Sequence, residues 1–158
     1  MDQAPLQTVY LHEGLNSSLL ILRHKLKSGI SVRRQYASDL PSFQAYGTGL
    51  NQVWTNIIDN AIDALEGKGQ ITIRTRQDAD WLIVEIEDNG PGISSENQSR
   101  IFDPFFTTKP PGQSTGLGLD VSYNIIAHRH RGDIKVFSTP GQTCFQVWLP
   151  LNLDAVAE

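Results

Sequence analysis

The stretch Leu50-Asn51-Gln52-Val53-Trp54-Thr55-Asn56-Ile57-Ile58-Asp59-Asn60-Ala61-Ile62-Asp63-Ala64-Leu65 decides how this chain folds. At about 100° per residue, Leu50, Val53, Trp54, Ile57, Ile58, Ala61 and Leu65 cover one side of a helix. So clear an apolar stripe is buried against a core. Asn56, Asn60 and Asp63 fall within roughly 60° of one another on the other side. That polar face holds two amides and a carboxylate with no basic residue among them. Oxygen ligands of this kind suit Mg²⁺, which keeps several waters and is usually shared with substrate phosphates. Taken alone, the same face is what a solvated helix presents.

Two further motifs change that balance. Asp88-Asn89-Gly90-Pro91-Gly92-Ile93 follows Trp81-Leu82-Ile83-Val84-Glu85-Ile86-Glu87, whose apolar residues alternate as in a strand. It places a carboxylate at a sheet terminus beside glycines whose backbone a ligand can approach closely. An ionised carboxylate accepts hydrogen bonds, so it can take the exocyclic amine of adenine. An ordinary turn has the same composition. The third motif, Gly112-Gln113-Ser114-Thr115-Gly116-Leu117-Gly118-Leu119, opens a helix. Free N–H groups at a helix start, with glycines beside them, make an anion site. The Lys-Ser/Thr of a Walker loop is missing, and no βαβ unit with a ribose-binding acid surrounds the glycines. Together the three motifs describe a pocket for ATP: a metal-ligand face, an adenine-reading carboxylate and a phosphate cradle.

With these motifs in order, the chain resembles the catalytic and ATP-binding domain of sensor histidine kinases. That domain shares its superfamily with type II topoisomerases, Hsp90 chaperones and mismatch-repair ATPases. The resemblance runs from about Thr8 to Pro150. It includes Ile101-Phe102-Asp103-Pro104-Phe105-Phe106-Thr107-Thr108-Lys109, similar to the family's phenylalanine box with the ending of nitrogen-regulatory-type kinases. The resemblance implies that Asn60 binds Mg²⁺, with Asn56 near the phosphates and Lys109 able to reach them, as the catalytic residues. It implies that Asp88 recognises adenine, that Gly90, Gly92 and Ile93 shape the adenine pocket, and that Phe102 and Asp63 line the nucleotide site. Thr115, Gly116, Leu117, Gly118 and Leu119 close on the triphosphate, and the stretch from about 97 to 115 is a mobile lid.

The chain departs from the family's pattern in three ways. Many members carry Lys or Arg where Asp63 stands, so a phosphate-binding cation is missing there. Asp120 complements the helix dipole and is expected to face away from phosphate. No histidine sits in the H-E-x-x-x-P context of a phospho-acceptor: His12-Glu13 has the first two letters only. The resemblance therefore implies a catalytic half that transfers the γ-phosphoryl of Mg-ATP to a histidine on a separate dimerisation and phosphoacceptor domain. A response regulator is the indirect partner. Two alternatives stay open. One is a stand-alone ATP-binding regulatory module, including a serine-directed kinase of the same fold. The other, disfavoured, is a hydrolase, whose relatives carry Glu where this chain has Asn56; a neutral amide cannot act as general base.

Composition fits one unit over residues 1–158, long enough for a real core. A net charge of −4 gives no general attraction to nucleic acid or anionic lipid. The longest apolar run, Leu19 to Leu22, is far short of a membrane span. The first residues lack a signal-peptide pattern. The single cysteine, Cys144, reads as a core residue and excludes an internal disulfide. A reducing, cytoplasmic location is expected.

The periodicity predicts an α/β two-layer sandwich: a mixed, mainly antiparallel sheet with about three helices on one face, the Bergerat-type ATP-binding fold. The helices are one marked by Leu11, Leu15, Leu19, Leu22 and Leu26, one over 50–65, and one over about 117–129. Strands are expected over 30–36, 70–76, 81–87, 133–138 and 143–149, and a frayed tail over about 151–158. Trp54, Trp81 and Trp148 read as core, and the basic run His128 to Arg131 as a helix C-cap.

Overall fold

The computed structural model describes residues 5–26, 28–106 and 118–153. In chain order the elements are β1 (Gln7–Val9), α1 (Leu11–Ile21), β2 (Ile30–Gln35), β3 (Phe43–Ala45) and α2 (Gly47–Leu65). They continue with β4 (Gly69–Asp78), β5 (Trp81–Asp88), α3 (Ser95–Gln98), α4 (Gly118–Asn124), β6 (Asp133–Thr139) and β7 (Gln142–Pro150). Five strands form the main sheet in the order β2-β4-β5-β7-β6. β2 pairs with β4 in parallel, and every other neighbour is antiparallel. The helices pack on one face, so the mixed two-layer architecture is as the periodicity predicts.

The alternation in β5 sets the two faces of this sheet. Leu82, Val84 and Ile86 point into the core with Ile71, Ile73, Phe145, Val147 and Leu149. Against them lies the stripe of α2, where Leu50, Val53, Trp54, Ile57, Ile58, Ala61, Ile62 and Leu65 are all buried. Burying side chains of this size is worth roughly 1.5–3 kcal/mol each. The helix ends at Glu66, which takes a left-handed φ of 52° just before Gly67. Leu11, Leu15 and Leu19 of α1 complete the same core.

Several boundaries differ from the sequence reading. The leucine stripe predicts one helix from Leu11 to about Gly29, but α1 stops at Ile21 and a 3₁₀ turn covers Arg23–Lys25. Leu22 and Leu26 still pack against the core, so the apolar spacing outlasts the α-helix. The third helix, described from Gly118 onward, widens into a π-helical turn over Ile125–Arg129. β1 and β3, three residues each, pair as a separate ribbon. Runs that short carry no readable alternation.

The outer face of the sheet corrects the reading of two tryptophans. Trp54 is in the core, but Trp81 and Trp148 lie half-buried on the face away from the helices, edge to face at 6.0 Å. They sit among a charged ladder in which Arg74 reaches Glu85 and Glu87, and Arg76 reaches Glu85. Positions 81, 83, 85 and 87 alternate with the inward ones, so residue type alone misplaces the rings. Cys144 is buried beside this ladder; burial, with the charges of Glu85 and Glu87, pushes its thiol up to about 12. Packing also continues beyond Pro150. Leu151 N–H donates to Asp80 O at 2.8 Å and Leu153 is buried, so the expected frayed tail is ordered at least that far.

Candidate functional site

The polar face of α2 stands where the sequence reading puts it, with Asn56, Asn60 and Asp63 half-buried. Asn56 is committed to structure: its Nδ2 donates to Gly118 O at 3.0 Å and to Ser122 Oγ at 3.2 Å. Ser122 is fully buried and its hydroxyl donates to Gly118 O at 3.0 Å. The first turn of α4 is thereby tied to the middle of α2. Asn60, one turn further on, makes no side-chain hydrogen bond among the described residues. Its amide oxygen is therefore available to a metal or to metal-bound water. Asp63 is drawn into an ion pair: Lys25 Nζ donates to it at 3.0 Å and also bonds Asp59.

Asp88 ends β5 and is only 2% exposed. Its Oδ1 accepts the N–H of Gly90 at 2.9 Å. Burial raises the pKa of this carboxyl, a shift opposed by the Gly90 hydrogen bond and reinforced by the charge of Glu87. A buried carboxylate with one oxygen held by a turn N–H keeps acceptor capacity for a ligand amine. Gly90 and Gly92 are needed for close approach. A Cβ on Gly90 would sit 3.0 Å from Ala64 O, and one on Gly92 would sit 2.4 Å from Thr139 O at a φ of +91°. The turn is thus wedged between the C-terminal end of α2 and the β6–β7 hairpin.

Residues outside the motifs complete this corner. Ile93 N–H donates to Ser138 Oγ at 2.7 Å, and Ser138 meets Thr143 Oγ1 at 2.8 Å. Thr143 is buried and opposite Asp88 in the β5–β7 register. No sequence signal marks Ser122, Ser138 or Thr143; only the strand register and the helix packing bring them in. Lys25 is equally silent in sequence, because it lies in the turn after α1.

The start of the expected lid is packed rather than loose. Gln98 Nε2 donates to Ile93 O at 2.7 Å, Ile101 is buried, and Phe102 packs on Tyr123 and Phe145. Phe106 lies under Arg100, whereas Phe105 is 71% exposed at a left-handed φ of 66°. Leu119 packs against the core at the other end. Lys109, Thr115, Gly116 and Leu117 lie outside the described residues, as does the rest of the lid. Asp120 is half-buried, and its Oδ1 has no hydrogen-bond partner among the described residues.

His12 and His130 take structural places. His12 Nε2 is 2.8 Å from Thr75 Oγ1, and its ring stacks on Tyr36 at 4.2 Å. His130 is buried; its Nδ1 donates to Ile125 O at 2.9 Å and its Nε2 accepts Tyr46 N–H at 3.1 Å. Each hydrogen bond fixes the same neutral tautomer, and burial lowers the pKa. His130 therefore caps the helix through hydrogen bonds of a neutral ring, where a cation at the helix dipole is expected, and it also joins the end of this helix to the start of α2. Among the described residues no group of three or more His, Cys, Asp and Glu side chains could hold a metal ion.

Residues 45–153 match the family model for histidine kinase-, DNA gyrase B- and HSP90-like ATPases. The chain is 40% identical over 152 residues to the signal transduction histidine-protein kinase AtoS of Escherichia coli (strain K12). That match covers 92% of this chain and 24% of AtoS, so the chain spans about a quarter of that relative's length. Among solved structures, the nucleotide-free catalytic domain of histidine kinase ThkA superposes with a TM-score of 0.87 at 27% identity, covering 96% of this chain and 99% of that one. ThkA in complex with the response regulator TrrA gives a TM-score of 0.82 at 25% identity, covering 94% of this chain and 42% of that one. Among the described residues no helix is long and apolar enough to cross a membrane.

Proposed function

The chain belongs to the histidine kinase-, DNA gyrase B- and HSP90-like ATPase family, a nucleotide-using family, and from that premise we propose that it is the ATP-binding catalytic domain of a sensor histidine kinase. It transfers the γ-phosphoryl of Mg-ATP to a histidine on a separate dimerisation and phosphoacceptor domain, from which a response regulator is served in the cytoplasm. The observation that carries this reading is the convergence of three chain segments. The Asn60 face of α2 is tied to α4 at Gly118 by the Asn56 bonds, and the buried Asp88 turn packs so close to the end of α2 that a Cβ on Gly90 would sit 3.0 Å from Ala64 O.

Each part has a chemical task. Asp88 accepts from the adenine amine. Gly90, Gly92 and Ile93 let the base approach, and Phe102 backs the pocket. The amide oxygen of Asn60 suits Mg²⁺, which is usually shared with substrate phosphates, and Asn56 lies beside it near the phosphates. Held on the Asn60 amide oxygen, Mg²⁺ would supply charge neutralisation for phosphoryl transfer. Lys109 and the backbone from Thr115 to Leu119 hold the triphosphate. Phosphoryl transfer needs mainly positioning and electrostatic stabilisation, and this set provides both without a general base.

The Asn56 geometry also separates this reading from ATP hydrolysis. Its Nδ2 donates to Gly118 and Ser122, so position 56 organises the site, and a neutral amide takes no proton from water. The experiment is incubation of the domain with labelled ATP, alone and with candidate helical-hairpin proteins. Acid-labile, alkali-stable label on a hairpin histidine supports the kinase. Label on serine of a regulator, nucleotide binding without transfer, or free phosphate released at a steady rate each replaces it with one of the alternatives.

A further inference from the structure

Lys25 is the least expected residue near the nucleotide face. It sits in the 3₁₀ turn after α1, and its ammonium bonds both Asp59 and Asp63, one helical turn apart on α2. Asp63 lies three residues beyond Asn60, so the bridged carboxylates border one side of the face on which the metal and phosphates are expected. Desolvation alone would lower the pKa of this ammonium; the hydrogen bonds and charges of Asp59 and Asp63 outweigh it and hold the pKa above the ordinary value. The ammonium is about one-third exposed and stays charged.

Two aspartates beside a polyphosphate repel it. We propose that Lys25 is the charge-balancing residue of this nucleotide site: by bridging Asp59 and Asp63 it cancels part of their repulsion toward the phosphates and turns both carboxylates away from them. This rests on the nucleotide reading given above. Lys25 touches neither substrate nor metal in this role; it is a positioning residue acting through α2. The effect scales with the charge of the ligand. Removing one compensating charge inside a Debye length of a polyphosphate changes affinity by about three- to tenfold at low salt, and by little for an uncharged ligand.

The test is calorimetric titration of the full chain with Mg-ATP and with adenosine at low and high salt. K25M weakens Mg-ATP about three- to tenfold at low salt and leaves adenosine unchanged, while K25R behaves as the parent. The triple variant K25M/D59N/D63N regains Mg-ATP affinity. D59N/D63N in the parent tightens Mg-ATP, which keeps the test decisive if K25M fails to fold. Equal losses for Mg-ATP and adenosine in K25M, or no response of Mg-ATP to D59N/D63N, overturns the inference. A parent chain that binds neither ligand overturns the nucleotide reading itself, and this inference with it.

Discussion

Asn56 Nδ2 stands 3.0 Å from the carbonyl oxygen of Gly118, sixty-two residues later in the chain. This bond fastens the helix bearing the amide face to the helix that follows the glycines. Each bond of this kind is worth about 0.5–1.5 kcal/mol. Asn56→Ala, which deletes this bond and the one to Ser122, should cost roughly 1–3 kcal/mol of stability. Asn56→Asp should cost more, because a second acceptor would then face Gly118 O. Urea unfolding of both variants measures this; an Asp variant as stable as the parent would refute the role of the donor.

Asn60 has the opposite character, since its side chain makes no bond among the described residues. Asn60→Ala should leave the melting temperature nearly unchanged and abolish phosphoryl transfer. Adenosine binding without metal should change little. Equal losses with and without Mg²⁺ would make the residue structural.

Asp88 is held against its own solvation. Its folded pKa is raised by burial, so the folded state binds the proton more tightly than the unfolded chain. The cost is absent below the unfolded value of about 3.8 and grows as pH rises through the folded value. Apo Asp88→Asn should therefore melt higher than the parent at pH 7, the difference shrinking in acid. The same variant should lose the charge-assisted bond to adenine, roughly 1.5–3 kcal/mol or ten- to a hundredfold in affinity. Calorimetry showing parent-like ATP binding would remove Asp88 from the adenine site.

His130 gives the opposite pH signature. Its folded pKa is lowered by burial, a shift opposed by the hydrogen bond to Ile125 O and reinforced by the charge of Arg129. Its contribution is complete above the unfolded value of about 6.5 and is lost as pH falls below it, because only the unfolded chain takes the proton readily. His130→Ala should flatten that acid dependence and cost about 1–3 kcal/mol by orphaning Tyr46 N–H and Ile125 O. Melting curves from pH 5 to pH 8 check this. An unchanged acid slope would assign the loss to other groups.

The isolated domain should bind ATP without labelling itself. His12 is the one histidine followed by glutamate, but it is bonded to Thr75 and stacked on Tyr36 within the same fold. An acceptor must reach the γ-phosphate nearly in line. A dimeric helical hairpin supplied in trans should take the label, and His12→Ala should transfer as well as the parent. Self-labelling lost in His12→Ala would make the chain a self-contained kinase.

The sequence by itself determined the pieces. The stripe of α2 and the alternation of β5 are periodic enough to name a helix, a strand and their buried sides, because side-chain direction follows backbone period. The motifs determined the chemistry available, since amide, carboxylate and glycine each carry their properties wherever they are placed. Only the tertiary structure decided which groups are already spent. Asn56 and Asn60 read alike in sequence, yet one is bonded across sixty-two residues and the other makes no side-chain bond among the described residues. Asp63 reads as one more member of the polar face, and only the fold brings Lys25 onto it. Trp81 reads as core until the pairing of β5 with β7 turns it to the outer face beside Trp148. The reason is common to all three. A hydrogen bond, an ion pair or a ring contact depends on distance in space, and for residues far apart in the chain that distance is fixed by packing and register rather than by local pattern.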